Sequence, residues 1–213
     1  SAALPTALEY LFPNLRAGYL WSVQDSDVYI SMVAIGIGGA VVMTYIHCFG
    51  IRFAAIVQSI VTALFFLVGI SLFTGAFTFE LIGEPIPLFS KGVAGILGVL
   101  VMVPAVMVGF DVIPQSAEEI DLEPRLIGKL LVISVGLAVI WYILITLCVS
   151  FALNVDQLNE SSMATADANR AVWQSQLAGN LMILAGVGGI LTSWNAFIIG
   201  GSRVIYALAQ SGM

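Results

Sequence analysis

Charge is the scarcest property of this chain. Of 213 residues, seven are Lys or Arg and thirteen are Asp or Glu, 9% in all. The net charge is −6 and the few basic residues form no patch, which excludes a nucleic-acid partner. Histidine occurs once, at His47, and cysteine twice, at Cys48 and Cys148. A metal site would need further ligands at suitable spacing, and none is present. A lone His beside a Cys at the end of an apolar run reads as an interfacial residue before it reads as a proton relay. The two cysteines fall in different apolar runs near opposite membrane faces, too far apart for a disulfide. No phosphate-binding loop and no nucleophile–base constellation occurs, so no enzyme class is indicated. The first residues show neither the basic region nor the short apolar core of a signal peptide. A start at Ser1 and an end at Gln210-Ser211-Gly212-Met213 lead us to expect a piece of a longer protein.

What fills the chain instead is hydrocarbon. Sixty per cent of the residues are hydrophobic and the mean hydropathy is +1.03. A soluble core of this length could not hide so much apolar surface. No charged residue lies between Asp27 and Arg52, Arg52 and Glu80, Lys91 and Asp111, Lys129 and Asp156, or Arg170 and Arg203. The shortest of these gaps, residues 92–110, is 19 residues long, near the roughly 20 that cross a bilayer core. The expectation is an all-α integral membrane protein with five transmembrane helices, at about 28–49, 53–77, 91–113, 130–153 and 177–201. Residues 1–27 read as an interfacial loop segment or the tail of a preceding helix, with Tyr10, Tyr19 and Trp21 suited to the headgroup zone. Residues 78–90 and 154–176 read as polar loops.

The third span should not be regular. Pro104, Gly109 and Pro114 punctuate it at five-residue intervals. Each proline removes a backbone donor and clashes with the preceding turn. Asp111 follows Gly109-Phe110, and then comes an acidic group, Glu118, Glu119, Asp121 and Glu123, closed by Pro124-Arg125 and Lys129. Irregular backbone at membrane depth is tolerated only where it lines protein or a water-filled cavity, which is how many secondary transporters build a substrate site. A break near residues 104–114 is therefore expected. The plainer alternative is that Asp111 simply ends the span at the interface.

Elsewhere the polar residues are few. Gln58, Ser59 and Thr62 form one stripe in the second span, able to face a pore or to bond to a neighbouring helix. Thr192 and Ser193 lie deep in the fifth. Glycine strips in the first, third and fifth spans allow close helix contact. If Arg52 is cytoplasmic, so are Arg125, Lys129 and Arg203, leaving Arg16, Lys91 and Arg170 outside; the positive-inside rule favours that orientation.

Gly109-Phe110-Asp111, Glu118-Glu119 and Pro124-Arg125 resemble the broken sixth helix and the turn after it in the amino acid–polyamine–organocation permeases. Phe49-Gly50-Ile51-Arg52 with Gln58 resembles the turn between that family's fourth and fifth helices. Ser193 to Gly212, with Asn195, Gly201-Ser202-Arg203 and Tyr206-Ala207-Leu208-Ala209, resembles the end of its eighth. The resemblance covers roughly residues 28–213. It implies a partial LeuT-type inverted-repeat transporter fold comprising the fourth to eighth helices, in the cell membrane, with the family's first helix outside these residues. Three positions depart from the family's pattern. Val106-Met107-Val108 stand where an aromatic is common, the second span has no lysine and carries Phe65 near the place of one, and Gly128 stands where proline is frequent.

A zwitterion needs acceptors for its ammonium and donors for its carboxylate, and an unwound helix offers both from its backbone. Val106, Met107, Val108, Gly109, Phe110 and Asp111 are the candidate substrate-binding residues. Asp111 costs about 2.5 to 3.5 kcal/mol on insertion scales and could orient substrate, take a proton or cap the inner half-helix. By the resemblance, Thr192 and Ser193 are candidate sodium ligands; hydroxyls in membrane helices also commonly bond back to their own helix. Glu118, Glu119, Arg125 and Arg203 are a candidate cytoplasmic gate, and a solvated loop is preferred over paired catalytic carboxylates. The expected function is secondary active transport of amino acids by alternating access, with no cofactor beyond a coupling proton or sodium ion. The alternatives are a polyamine or other organic amine transporter, and a membrane assembly module that transports nothing. An amino acid or amine substrate and the lipid bilayer are the expected partners; the sequence does not fix the oligomeric state.

Overall fold

A computed structural model describes residues 3–23, 26–78, 92–106, 109–110, 112–115 and 122–212. The described elements are α1 (Ala3–Leu11), β1 (Tyr19–Val23), β2 (Ser26–Tyr29), α2 (Ile30–Cys48), α3 (Ile51–Thr78), α4 (Gly92–Val106), α5 (Val112–Gln115), α6 (Pro124–Ala152), α7 (Val155–Glu160), α8 (Ala164–Trp173) and α9 (Gln176–Gln210). Among the described residues the fold is helical apart from one antiparallel hairpin, and four helices, α2, α3, α6 and α9, are long and apolar enough to cross a membrane. Side chains such as Leu67, 63% exposed, and Val101, 80% exposed, stand outward on them and on α4, as lipid-facing or bundle-facing surfaces do and soluble surfaces rarely do.

The expected fifth crossing is not one helix. The 15 described residues of α4 rise about 22 Å, and the chain forms a turn at Gly109-Phe110 within the expected span. The turn lies within the expected interval 104–114. The helix runs through Pro104 to Val106, because the bulk of α4 already supplies the turns around one missing donor. The backbone turns at Gly109-Phe110, and Pro114 lies inside the short α5.

Three other expectations change in detail. Residues 1–27 are not loop throughout: Ala3–Leu11 form α1, which buries Leu4 and Ala7 and packs against α2 and α9. The span expected at 28–49 starts at Ile30, since Ser26–Tyr29 pair as a strand. Residues 154–176 are not a loop either. Asn154 opens α7 with a reciprocal capping box: Gln157 N–H donates to Asn154 Oδ1 at 2.8 Å and Asn154 N–H to Gln157 Oε1 at 3.0 Å. Helix α8 ends at Gln174 in the left-handed conformation, φ +47°, with the Ser175 N–H donating to Arg170 O at 3.2 Å. The spans also run past their apolar windows. Pro124 at the first helical position starts α6 early, and α9 at 35 residues is about 52 Å long, more than a bilayer core needs. Of the loop expected at 78–90, Thr78 ends α3 and residues 79–90 lie outside the described residues. Cys48 and Cys148 are both free thiols.

Helices α3 and α9 form the central antiparallel pair. They approach where α9 has no side chains: a Cβ on Gly188 would lie 2.7 Å from Val61 Cγ1. Tryptophans fit against glycines of neighbouring helices in the same way. Trp141 of α6 packs on Gly69 of α3 and joins Phe65, Phe66 and Phe73, with ring centroids 4.6 to 5.8 Å away. Trp194 of α9 packs on Gly39 of α2, where an added Cβ would meet Cζ3 at 2.8 Å. In lipid the hydrophobic effect does not drive helices together, so such close fits carry the association. The buried cluster gathers where α8 lies across the ends of α3, α6 and α9, and includes Leu72, Cys148, Val149, Ala166, Ala168, Val172, Met182 and Ile183.

Candidate functional site

The interruption between α4 and α5 is the one place where a described transmembrane run loses its helix. Val106 closes α4. Gly109 has φ +109°, a region that L residues with a Cβ rarely adopt. The turn is held by Val112 N–H donating to Gly109 O and Ile113 N–H donating to Phe110 O, each at 3.3 Å. Phe110 is half exposed, and α5 packs on α9 and α6. The turn at Gly109-Phe110 thus interrupts the regular helical path. Met107, Val108 and Asp111 lie outside the described residues, as do Glu118 and Glu119. Arg125 stands exposed in the first turn of α6, and Arg203 is half-buried on α9.

Thr192 and Ser193 do come together. Their hydroxyls donate to the same carbonyl, Gly189 O, at 2.8 and 3.0 Å. Each hydroxyl keeps lone pairs after that donation. Ser59, in the polar stripe of α3, likewise bonds back to Ala55 O at 2.8 Å. Gln58 reaches across instead, its Oε1 accepting from Asn195 Nδ2 of α9. Asn195 is 2% exposed, and its Oδ1 is buried with no hydrogen-bond partner among the described residues. Of the two readings of the Gln58 stripe, the interhelical bond is the one observed for Gln58.

A second polar cluster, at the opposite end of the α3–α9 pair, had no sequence signal. Asp167 of α8 accepts from Tyr10 Oη at 2.6 Å and from Ser161 Oγ at 2.5 Å, and pairs with Arg170 at 3.2 Å. Burial, then the hydrogen bond to Asp167, pushes the Tyr10 phenol up to about 12. Beside it, Asn169 Nδ2 donates to Ala178 O at 2.9 Å, tying α8 to the start of α9. A groove of about 370 Å³ lies between α3, α8 and α9, lined by Leu67, Val68, Ser71, Trp173 and Leu181 among others. Among the described residues no three His, Cys, Asp or Glu side chains gather as metal ligands would.

No curated protein and no solved structure matches the chain. A protein-family model described as amino acid permease matches residues 7–213. With four long apolar helices, an interrupted fifth segment and a family match over nearly its whole length, the chain belongs to the amino acid permease family, a family of multi-pass membrane transporters.

Proposed function

We propose that this chain carries part of the substrate pathway of a secondary active transporter that moves amino acids across the cell membrane by alternating access. The observation that carries the reading is the interruption at Gly109, φ +109°, between α4 and α5. Residues 106–111 would hold the amino acid. Carbonyls at the end of α4 face its ammonium group, amides at the start of α5 face its carboxylate, and Phe110 closes over its side chain. Asp111 orients the ammonium group or carries the coupling proton. Thr192 and Ser193 would lend their lone pairs to a sodium ion if sodium is the coupling ion. Glu118, Glu119, Arg125 and Arg203 form an inner gate of opposite charges. The five segments then correspond to part of a LeuT-type inverted repeat, with the interruption opening the second repeat.

The test is uptake of a labelled amino acid panel by the complete protein in liposomes, with sodium and proton gradients imposed separately. Accumulation that follows one gradient supports the reading and identifies the coupling ion. Asp111→Asn and Phe110→Ala should each lower or reshape uptake while membrane insertion is kept. Wild-type kinetics in both variants would remove these residues from the site, and folded protein that accumulates amines but no amino acid would move the substrate class.

A further inference from the structure

The α3–α9 seam is packed differently at its two ends. At the end covered by α8 it is filled with buried side chains: Leu72, Ala76, Val172, Met182 and Ile183 belong to one cluster. There Trp173 Nε1 also donates to Ser71 O at 3.1 Å. At mid-seam Gly188 sits on Val61. Toward Arg52 and Arg203 the contact changes in kind and becomes an amide pair, Gln58 with Asn195. Gln58 lies seven residues into α3, about 10 Å from its start. The pair leaves Asn195 Oδ1 buried and without a partner among the described residues, on a side chain that is 2% exposed. An unsatisfied buried carbonyl is costly, and a permanent seam would be better served by an apolar pair of the same shape.

We propose that α3 and α9 part at the Gln58–Asn195 contact in each transport cycle, with the α8-covered end as the fixed pivot. This rests on the alternating-access reading above. Parting an apolar seam exposes hydrocarbon to water, whereas both amides of this pair can hydrogen-bond to water once the helices separate, and the orphan Oδ1 gains a donor in that state. The closed contact is weak enough to cycle, as interhelical hydrogen bonds of this kind are modest. At the other end, separation would empty a buried cluster and break the Trp173–Ser71 bond. Gln58 and Asn195 are therefore positioning residues, setting the balance between two arrangements of the helices and touching no substrate.

Cross-linking tests this in the complete protein freed of native thiols. Gln58→Cys with Asn195→Cys, bridged by a short reducible thiol reagent, should lose uptake by about tenfold or more, with recovery on reduction. Val68→Cys with Leu181→Cys, two positions that line one groove near the pivot, should keep uptake when bridged. Undiminished uptake with 58 and 195 bridged would overturn the proposal. The double variant Gln58→Leu, Asn195→Leu needs no reagent. It should keep the amount of folded protein and lower the maximal rate about tenfold, because an apolar contact resists parting into water, with KM unchanged; a wild-type maximal rate would equally overturn the proposal. Protein that transports nothing before any bridge is made, while remaining folded, would overturn the transport reading itself and this proposal with it.

Discussion

The phenol of Tyr10 donates to the carboxylate of Asp167 at 2.6 Å across 157 positions of sequence. It fastens α1 to α8, and Asp167 is further held by Ser161 and Arg170. Removing the hydroxyl leaves the carboxylate with fewer donors. Tyr10→Phe should cost about 1.5 kcal/mol, the low end for a hydrogen bond to a charged group, read as a lowered melting temperature in detergent. Tyr10→Phe that melts like the wild type would show that the network is incidental.

The same bond has a pH signature. The phenol's pKa is raised from its ordinary 10.0 to about 12, so the folded state favours the protonated form. The stability this group adds is fully present below pH 10 and is lost as pH rises through 12. An absorbance titration of phenolate, wild type minus Tyr10→Phe, should place this residue near 12. A midpoint near 10 would mean that the buried contact with Asp167 does not form.

Glycine positions divide by what stands beside them. A Cβ on Gly69 would collide with the Trp141 ring, whereas one on Gly136 meets nothing within 4 Å among the described residues. Gly69→Ala should destabilise by about 1 to 3 kcal/mol through overpacking. Gly136→Ala should be neutral or gain up to about 1 kcal/mol of helix propensity. Equal melting temperatures for the two variants would contradict the packing described for α3 and α6.

Gln174 takes the left-handed position that ends α8, with φ +47°. Glycine adopts that conformation without the Cβ penalty. Gln174→Gly should raise stability by up to about 1 kcal/mol, visible as a higher melting temperature and slower backbone hydrogen exchange at the α8–α9 junction. A loss of stability would mean that the Gln174 side chain contributes more than its backbone costs.

The long apolar elements were legible because lipid imposes a simple rule on them: charge-free runs of about 20 residues. That rule located α2, α3, α6 and α9, and the Gly109 interruption was legible because Pro104, Gly109 and Pro114 punctuate such a run just before Asp111 and the acidic group. Ends were less legible. Helical propensity carries α9 to Gln210 and α6 back to Pro124, past the point where the membrane criterion stops. Helices α7 and α8 were hidden because polar, short segments look like loops unless a capping pattern is sought, and Asn154-Val155-Asp156-Gln157 is such a pattern. The Tyr10–Asp167 and Gln58–Asn195 contacts join elements far apart in sequence, and no local pattern encodes which side chains meet.

The interruption at Gly109 is the centre of this account, and one comparison tests it most directly. Gly109→Ala and Gly98→Ala place the same methyl group on two glycines with nothing within 4 Å among the described residues, but only Gly109 of the two has a positive φ. The first should carry about 1 to 3 kcal/mol of backbone strain at the site. Initial rates of amino acid uptake by the complete protein in liposomes, normalised to inserted protein, should fall steeply for Gly109→Ala and stay near wild type for Gly98→Ala. Equal rates in the two variants would contradict the claim that the turn at Gly109 builds the substrate site.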